Sequence, residues 1–283
     1  MMNTVKRVLT ASVLFVLITV LCYMGGAAFL FLICFLSLAV GRELHRLLVP
    51  AGLTLNRGFL MGCVVATLAA AHAGEEYFLY AFYLTAMAVF VVHIIKGTKD
   101  ISGYVSEVGM SLVFTVLLGM MTGAAVLLRN IEPSAIVMDT QYALVKNEPG
   151  FFLVAMAFLC GAANDSAAYF VGKHMGRNKL VPTISPGKTF EGAGGGIAAA
   201  AAAALITNYV FNFPLSVPLT LLFGVVAGFA AITGDLIESA IKRNSNVKDS
   251  GTMLPGHGGL FDRFDGTIFV FPAFYLLASL VLG

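Results

Sequence analysis

Two runs without any charged side chain, residues 8–41 and 192–234, constrain the fold of this chain more than any other feature. An α-helix rises about 1.5 Å per residue, so either run as one straight helix would far exceed the roughly 30 Å hydrocarbon core of a bilayer. Each run therefore has to turn, and we expect the turns near Gly25 and Gly26 in the first run and around Asn212, Pro214 and Pro218 in the second. Each run then predicts two helices that cross a membrane.

The composition places the whole chain in a membrane. Of its 283 residues, 59% are hydrophobic and 11% are charged. A water-soluble globular protein of this composition would expose large apolar patches. No polar stretch is long enough for a separate soluble domain, so residues 1–283 predict a single membrane-embedded domain. The net charge of +2 is too small to indicate nucleic acid as a partner. The four cysteines lie in apolar runs without metal-ligand spacing, and we interpret them as packing residues.

Further apolar stretches complete the prediction of an all-α, polytopic integral membrane protein. Beyond the two long runs, the predicted spans cover about residues 58–74, 77–95, 106–128 and 150–172, and a last span starts near Asp265. The total is about nine transmembrane helices.

The distribution of basic residues predicts the orientation, because basic loops stay in the cytoplasm. Nine spans with a cytoplasmic N-terminus and an outside C-terminus leave only Arg129 and Lys146 outside, and 15 of the 17 basic residues fall on the inner side. The two most densely charged loops, after the sixth and the eighth helix, both face the cytoplasm. We expect a multi-pass protein of the cell membrane, which in a bacterium is the inner membrane.

Polar residues follow one face of the eighth predicted helix. Asp235, Glu238, Ser239 and Lys242 are spaced i, i+3, i+4 and i+7, which places them on one side near the cytoplasmic end. A carboxylate in an apolar helix is costly unless it binds a cation or a donor, so Asp235 predicts a functional site. For Glu238 alone, a helix-end salt bridge with Lys242 or Arg243 is the simpler interpretation.

A second group of charged residues follows that helix. It contains Lys248, Asp249, the glycine-flanked His257, and then Asp262, Arg263 and Asp265 at the start of the last helix. Acidic residues are common caps of helix N-termini, which alone would account for Asp262 or Asp265. Capping does not account for two such acids beside Arg263 and His257.

The loop after the sixth helix carries the third polar group. Asp165, Tyr169 and Lys173 follow one helical face, and Arg177, Lys179 and Lys188 precede Thr189 and Glu191. A P-loop is excluded because its first glycine would have to stand where Pro182 stands. Contacts with anionic lipid headgroups are the alternative role of Lys173, Arg177 and Lys179. Lys188 is the candidate for a catalytic role.

Together these groups predict a site where carboxylates hold a divalent cation and basic side chains hold phosphates. Neither a Ser-His-Asp nor a Cys-His arrangement is apparent in the sequence. The chemistry that fits is transfer of a phosphoryl-type group between anionic substrates, in which neutralisation and alignment are the main tasks.

Two stretches of the chain resemble the phosphatidate cytidylyltransferase family. The first runs from Ser239 to Asp265 and includes the consecutive pair Lys242 and Arg243, then the pair Lys248 and Asp249, the segment LPGHGG, and Asp262 with Arg263. The second runs from Asp165 to Gly196 and reads D-S-x-A-Y-x-x-G-x-x-x-G and then I-S-P-x-K-T-x-E-G-x-x-G-G. Residues 151–283 are therefore the expected catalytic half, while the role of residues 1–150 stays uncertain.

The resemblance implies a nucleotidyltransferase that converts CTP and phosphatidate into CDP-diacylglycerol and pyrophosphate, in phospholipid biosynthesis, with Mg²⁺ required. Phosphatidate would come from the inner leaflet and CTP from the cytoplasm. The implied catalytic residues are Asp165, Lys188, Asp235, Lys242 and Asp262. The implied metal ligands are Asp235, Asp249, Asp262 and Asp265. The implied substrate-binding residues are Lys173, Ser185, Ser239, Arg243, Lys248, His257 and Arg263.

Other functions stay open at this stage. A CTP-using lipid kinase would transfer the γ-phosphoryl group, and a cytidylyltransferase for an isoprenoid phosphate would use a different lipid. A secondary transporter with Asp165 and Asp235 as ion carriers predicts charges near the midplane and a repeated architecture, and neither is visible. A purely structural scaffold leaves the spacing of the charged residues unexplained. Gly192 and Gly196 fit helix packing either within one chain or in a homodimer.

Overall fold

The computed structural model describes residues 16–52, 56–96, 103–132, 148–251, 253 and 258–282. These residues form nine helices: α1 (residues 16–24), α2 (Gly26–Leu48), α3 (Arg57–Ala73), α4 (Glu75–Lys96), α5 (Tyr104–Arg129), α6 (Pro149–Met175), α7 (Phe190–Phe211), α8 (Val217–Asn244) and α9 (Phe261–Leu282). Two short strands, β1 (Lys179–Val181) and β2 (Ser185–Thr189), lie between α6 and α7. The prediction of an all-α polytopic membrane protein is confirmed.

Both long uncharged runs break where the sequence predicts. Helix α1 ends before Gly25, and both Gly25 (φ 63°) and Gly26 (φ 49°) have positive φ angles that favour glycine. In the second run α7 ends at Asn212, which adopts the left-handed conformation (φ 48°). Seven of the helices, α2 and α4 to α9, are long and apolar enough to cross a membrane, and α3 is a shorter apolar helix of 17 residues. The orientation of the termini stays a prediction.

Helix α2 is longer than predicted. The uncharged run ends at Gly41, but the helix continues to Leu48 and includes Glu43 as well as Arg42 and Arg46, which the sequence analysis counts among the inner-loop basic residues. No proline occurs before Pro50, so the helical backbone hydrogen bonds continue through the charged residues after Gly41. The extension carries a carboxylate into the protein interior, since Glu43 is only 2% exposed.

The contacts of the chain divide it into two compact units. The first unit takes the described residues of Met1–Leu127 and Ile241–Arg263, and the second takes those of Leu128–Ala240 and Phe264–Gly283. The expectation of a single membrane-embedded domain stays a prediction. In the first unit, α2, α3, α4 and α5 pack on one another, with Leu44, Leu60 and Phe114 fully buried. Ser37 on α2 and Thr122 on α5 are joined by a buried hydrogen bond of 2.9 Å between their hydroxyls.

In the second unit, α6 and α7 pack closely through small residues. A Cβ atom at Gly192 would lie 2.8 Å from the Ala168 carbonyl oxygen, and one at Gly196 would lie 2.6 Å from Oδ1 of Asn164. Only glycine allows this approach, so both glycines serve packing inside one chain. They are therefore no longer an argument for a homodimer.

Helices α8 and α9 also approach through glycine in this unit. A Cβ atom at Gly234 would overlap the carbonyl oxygen of Asp265, and one at Gly266 would lie 3.2 Å from the carbonyl oxygen of Ala231. The two backbones are therefore closest beside Asp235 and Asp265.

The loop between α6 and α7 forms an antiparallel β-hairpin, which the sequence analysis did not predict. Lys179 pairs with Thr189 and Val181 pairs with Ser185, and a tight turn follows in which the Ile184 amide donates to the Val181 carbonyl oxygen. Paired strands fix the direction of alternate side chains, so the hairpin holds the side chain of Lys188 in a defined orientation.

Candidate active site

The shortest contact among the predicted site residues is an ion pair in the second unit. Nζ of Lys188 on β2 lies 2.6 Å from Oδ2 of Asp235 on α8. The Lys188 side chain is 21% exposed and the Asp235 side chain is 38% exposed. The Asp235 side chain is therefore partly accessible, whereas Nζ of Lys188 is itself buried.

Two more carboxylates surround Asp235. One carboxylate oxygen each from Asp235, Glu238 and Asp265 lie within 4.8 Å of one another, and we call these three residues the acidic cluster. Glu238 lies one turn after Asp235 on α8, and Asp265 comes from α9. Oxygen ligands at such separations fit a hard divalent cation such as Mg²⁺.

Asp165 on α6 interacts electrostatically with the same group. It lies within range of Asp235, Lys188 and Asp265, and its Oδ1 accepts a hydrogen bond of 3.2 Å from Nδ2 of the buried Asn164. Three carboxylates, those of Asp165, Asp235 and Asp265, thus interact with Lys188, and Glu238 lies beside two of them. Like charges at these distances repel, so the group favours an additional cation.

Glu191 fastens the hairpin that carries Lys188. Its carboxylate accepts hydrogen bonds from the Arg177 amide (3.1 Å), from the Asn178 amide (3.2 Å) and from Nδ2 of Asn178 (2.8 Å). The adjacent Thr189 is the N-cap of α7, where its hydroxyl accepts from the Gly192 amide at 3.1 Å. Together these bonds fix both ends of the hairpin to the start of α7.

The first unit contains a second group of charged residues, which we call the Asp262 network: Glu43, Lys242, Ser250, Gly259, Phe261 and Asp262. Nζ of Lys242 lies 2.9 Å from Oδ1 of Asp262, and both side chains are mostly buried. The Asp262 carboxylate also accepts from the Ser250 amide (3.1 Å to Oδ2) and from the Gly259 amide (3.2 Å). In the structure Asp262 therefore holds the loop before α9 against the end of α8.

Glu43 completes this network from α2. Its Oε2 accepts a hydrogen bond of 3.1 Å from the Ser250 hydroxyl and one of 2.9 Å from the Phe261 amide. The Ser245 hydroxyl also donates to the Leu47 carbonyl oxygen of α2 at 2.7 Å. The loop between α8 and α9 is thus attached to α2 at both ends.

The remaining predicted site residues are more exposed. Those on the surface are Lys173, Arg243, Lys248, Asp249 and Arg263, while Ser185 and Ser239 are half-buried. Nζ of Lys173 lies 5.7 Å from the ring centroid of Tyr169. His257 lies outside the described residues. The assignment of all these residues to catalysis, substrate or metal stays a prediction.

Sequence reasoning missed two carboxylates of these groups. Glu238 was placed on the same helical face as Asp235 but was interpreted as a partner of Lys242 or Arg243 in a helix-end salt bridge, which stays a prediction. Glu43 was not singled out at all. Its signal is a lone acid inside an apolar helix, which requires a polar partner wherever the helix is buried.

The chain matches one protein family and is similar to several curated proteins. A family model described as "Cytidylyltransferase family" matches residues 5–281. The phosphatidate cytidylyltransferase of Bacillus subtilis (strain 168) is 44% identical over 138 residues, which are 48% of this chain and 51% of the relative.

Two further relatives are similar over a comparable length. The phosphatidate cytidylyltransferase of Staphylococcus haemolyticus (strain JCSC1435) is 40% identical over 136 residues, which are 48% of this chain and 52% of the relative. The uncharacterized protein YnbB of Escherichia coli (strain K12) is 46% identical over 126 residues, which are 44% of this chain and 42% of the relative. The chain thus spans about half the length of the curated relatives it matches.

Proposed function

Because the chain belongs to the cytidylyltransferase family, we propose that it transfers CMP from CTP to phosphatidate, forming CDP-diacylglycerol and pyrophosphate. A phosphate oxygen of phosphatidate forms a new bond to the α-phosphorus of CTP. The bond between that phosphorus and the oxygen bridging to the β-phosphate breaks, and pyrophosphate leaves with both electrons. The names of two of the relatives support phosphatidate as the acceptor.

The acidic cluster with Lys188 is the observation that carries this proposal. Both substrates are anions, so the reaction requires positive charge placed where the phosphates meet. The three carboxylates fit Mg²⁺, because their oxygens lie within 4.8 Å of one another and come from two rigid helices. Asp235, Glu238 and Asp265 would hold the cation, which supplies charge neutralisation for the phosphate groups.

Lys188 supplies the chain's own positive charge beside the cluster. Its ammonium lies against Asp235 and would donate to phosphate oxygens that bind beside the cluster. The hairpin and the hydrogen bonds that Glu191 accepts from Arg177 and Asn178 orient this side chain before any substrate arrives, which lowers the entropic cost of alignment. Asp165 is a further carboxylate that interacts electrostatically with Lys188 and Asp235.

Several further roles rest on the sequence pattern. Lys242, Arg243, Lys248 and Arg263 would contact phosphates, Ser185, Ser239, His257 and Lys173 would contact substrate, and Asp262 and Asp249 would add metal ligands. The distribution of basic residues supports a site at the cytoplasmic face, with CTP from the cytoplasm and phosphatidate from the inner leaflet.

Labelled CTP tests the reaction. The protein, purified in detergent, is incubated with Mg²⁺, phosphatidate and CTP labelled at either the α- or the γ-phosphorus. We expect lipid label only from the α-labelled nucleotide, together with release of pyrophosphate. Lipid label from γ-labelled CTP alone would refute the proposal and indicate a kinase. Transfer to an isoprenoid phosphate but not to phosphatidate would identify a different acceptor.

The variant Lys188→Met tests the site. Loss of its charge is expected to lower kcat/KM for CTP about 100-fold, comparable to removal of one transition-state donor. Lys179→Met is the matched control, because Lys179 is an exposed lysine on the other strand of the same hairpin. Equal activities of the two variants would contradict the role of Lys188.

A further inference from the structure

Glu43 is a buried carboxylate for which the proposed reaction has no direct use. We propose that it is a positioning residue, which holds the loop between α8 and α9 so that Lys242 and Asp262 keep their orientation. The functional part of this inference rests on the proposed function, in which both residues belong to the catalytic machinery. It also gives the N-terminal half of the chain a role in the reaction.

The first step of the argument is the chain of hydrogen bonds that starts at Glu43. Its Oε2 accepts from the Ser250 hydroxyl and from the Phe261 amide, which are the two ends of the loop segment 250–261. The Ser250 amide in turn donates to the Asp262 carboxylate, and Asp262 pairs with Lys242. A movement of Glu43 is therefore passed to Lys242 through two intermediate residues.

The second step is the close fit of the loop around the carboxylate. A Cβ atom at Gly251 would lie 2.6 Å from Oε1 of Glu43, and one at Gly259 would lie 2.9 Å from Oε2. The backbone at both positions therefore lies directly against the carboxylate. A Cβ atom at Gly259 would also lie 2.8 Å from the Gly251 amide nitrogen, so the two glycine backbones and the carboxylate are closely packed.

The third step is energetic. Glu43 is 2% exposed, and its Oε1 receives no hydrogen bond from any residue that the structure describes. Burial of a carboxylate with incomplete hydrogen bonding is unfavourable, and an apolar side chain would pack there without that cost. Stability alone does not account for a glutamate at this position, whereas fixing two loop ends with one oxygen does.

The experiment compares three variants of the full chain: Glu43→Ala, Glu43→Gln and the control Ser37→Ala. Ser37 lies on the same helix, is equally buried and hydrogen-bonds Thr122 instead of the loop. Each variant is purified in detergent, its folded fraction and melting temperature are measured, and kcat and KM for CTP are determined per folded molecule. Hydrogen exchange of peptides from residues 245–261 provides a readout that does not depend on activity.

We expect faster exchange of the 245–261 peptides in Glu43→Ala, and no change in Ser37→Ala. We also expect kcat/KM for CTP to fall about tenfold in Glu43→Ala, since small misplacements of catalytic groups are costly. Glu43→Gln should recover part of this loss, because its amide oxygen still accepts hydrogen bonds from the loop. Ser37→Ala should stay within about twofold of the unmodified protein at any comparable melting temperature.

Two results would overturn the inference. One is unchanged exchange of the loop in Glu43→Ala. The other is an equal loss of kcat/KM in Ser37→Ala at the same melting temperature, which would reduce Glu43 to a packing residue. If the unmodified protein transfers no CMP while the exchange difference appears, the proposed function is refuted and the anchoring of the loop by Glu43 is supported.

Discussion

The acidic cluster and the Asp262 network contain the same kinds of side chain, but they use them differently. In the Asp262 network, the carboxylates of Glu43 and Asp262 accept hydrogen bonds from backbone amides and a serine hydroxyl, and Asp262 also pairs with Lys242. In the acidic cluster, three carboxylates face one another, Lys188 pairs with Asp235, and one backbone amide, that of Gly266, donates to Oδ1 of Asp265 at 2.8 Å. The first arrangement is largely neutralised by the protein itself.

The difference teaches how to separate a structural carboxylate from one that binds a ligand. Amide donors satisfy a carboxylate permanently and attach it to a loop, as they do at Asp262. Carboxylates that mainly face other carboxylates stay under repulsion, which an exchangeable cation relieves. We therefore expect substitutions in the network to affect folding first, and substitutions in the cluster to affect activity first.

The largest expected effect comes from comparing Asp235→Asn with Asp262→Asn. Asp235→Asn should lower CMP transfer about 1000-fold, because it removes a proposed metal ligand. Its melting temperature should change little, since relief of repulsion offsets the lost ion pair with the half-exposed Asp235. Activity assays and thermal unfolding of the same preparations check both statements.

Asp262→Asn should instead lower the free energy of unfolding by about 2 kcal/mol, because it weakens the pairing of a mostly buried lysine and the amide hydrogen bonds. Its activity should fall as well, in line with its predicted role. If Asp235→Asn were the less stable of the two proteins, the distinction between the two groups would be wrong.

A medium effect is expected from Glu191→Gln. The uncharged amide weakens the three hydrogen bonds that fasten Arg177 and Asn178, and Lys188 loses part of its fixed orientation. We expect kcat to fall about fivefold to tenfold while the melting temperature stays nearly constant. Glu76→Gln is the control, because Glu76 is an acid on α4 that bonds the Tyr80 hydroxyl. Equal kinetics of the two variants would show that the hydrogen bonds of Glu191 do not orient Lys188.

The smallest effect is expected from Lys173→Ala. This exposed lysine stacks on Tyr169, a contact worth about 0.5–1 kcal/mol at an exposed site. Activity on phosphatidate in neutral vesicles should change less than about twofold, and a larger loss should appear only with anionic vesicles at low salt. A loss that is independent of salt and of vesicle charge would place Lys173 in the substrate site instead of at the lipid surface.

The helices were predictable because hydropathy is a local property of the sequence. Breaks at Gly25 and Asn212 follow from the length of the uncharged runs and from residues that tolerate positive φ angles. Charge does not end a helix, which is why Arg42 and Arg46, counted among the basic residues of an inner loop, lie within α2. The last helix was expected to open at Asp262, with its membrane span starting near Asp265, and α9 begins at Phe261, within the usual error of such predictions.

Contacts between residues far apart in the sequence were harder to predict. The family pattern placed Lys188 among the candidates, but its ion pair with Asp235 depends on a β-hairpin. The sequence of this hairpin lacks the alternation of apolar and polar residues that predicts strands. The contact from Glu43 to Phe261 joins residues separated by most of the chain, and no local spacing encodes it. Helical spacing did predict that Glu238 lies next to Asp235. The acidic cluster is complete only with the third carboxylate, Asp265 of α9, which no local spacing predicts.

The glycine contact between α8 and α9 has a consequence for which ion such a cluster accepts. Oxygen ligands surround Mg²⁺ at about 2.1 Å and Ca²⁺ at about 2.4 Å, so a few tenths of an ångström in backbone separation distinguish the two ions. Gly234 stands next to Asp235 and touches the backbone of Asp265, so the missing methyl group sets the distance between those two carboxylates. We therefore expect the size of the ion bound at the proposed cation site to depend on the absence of this one carbon atom.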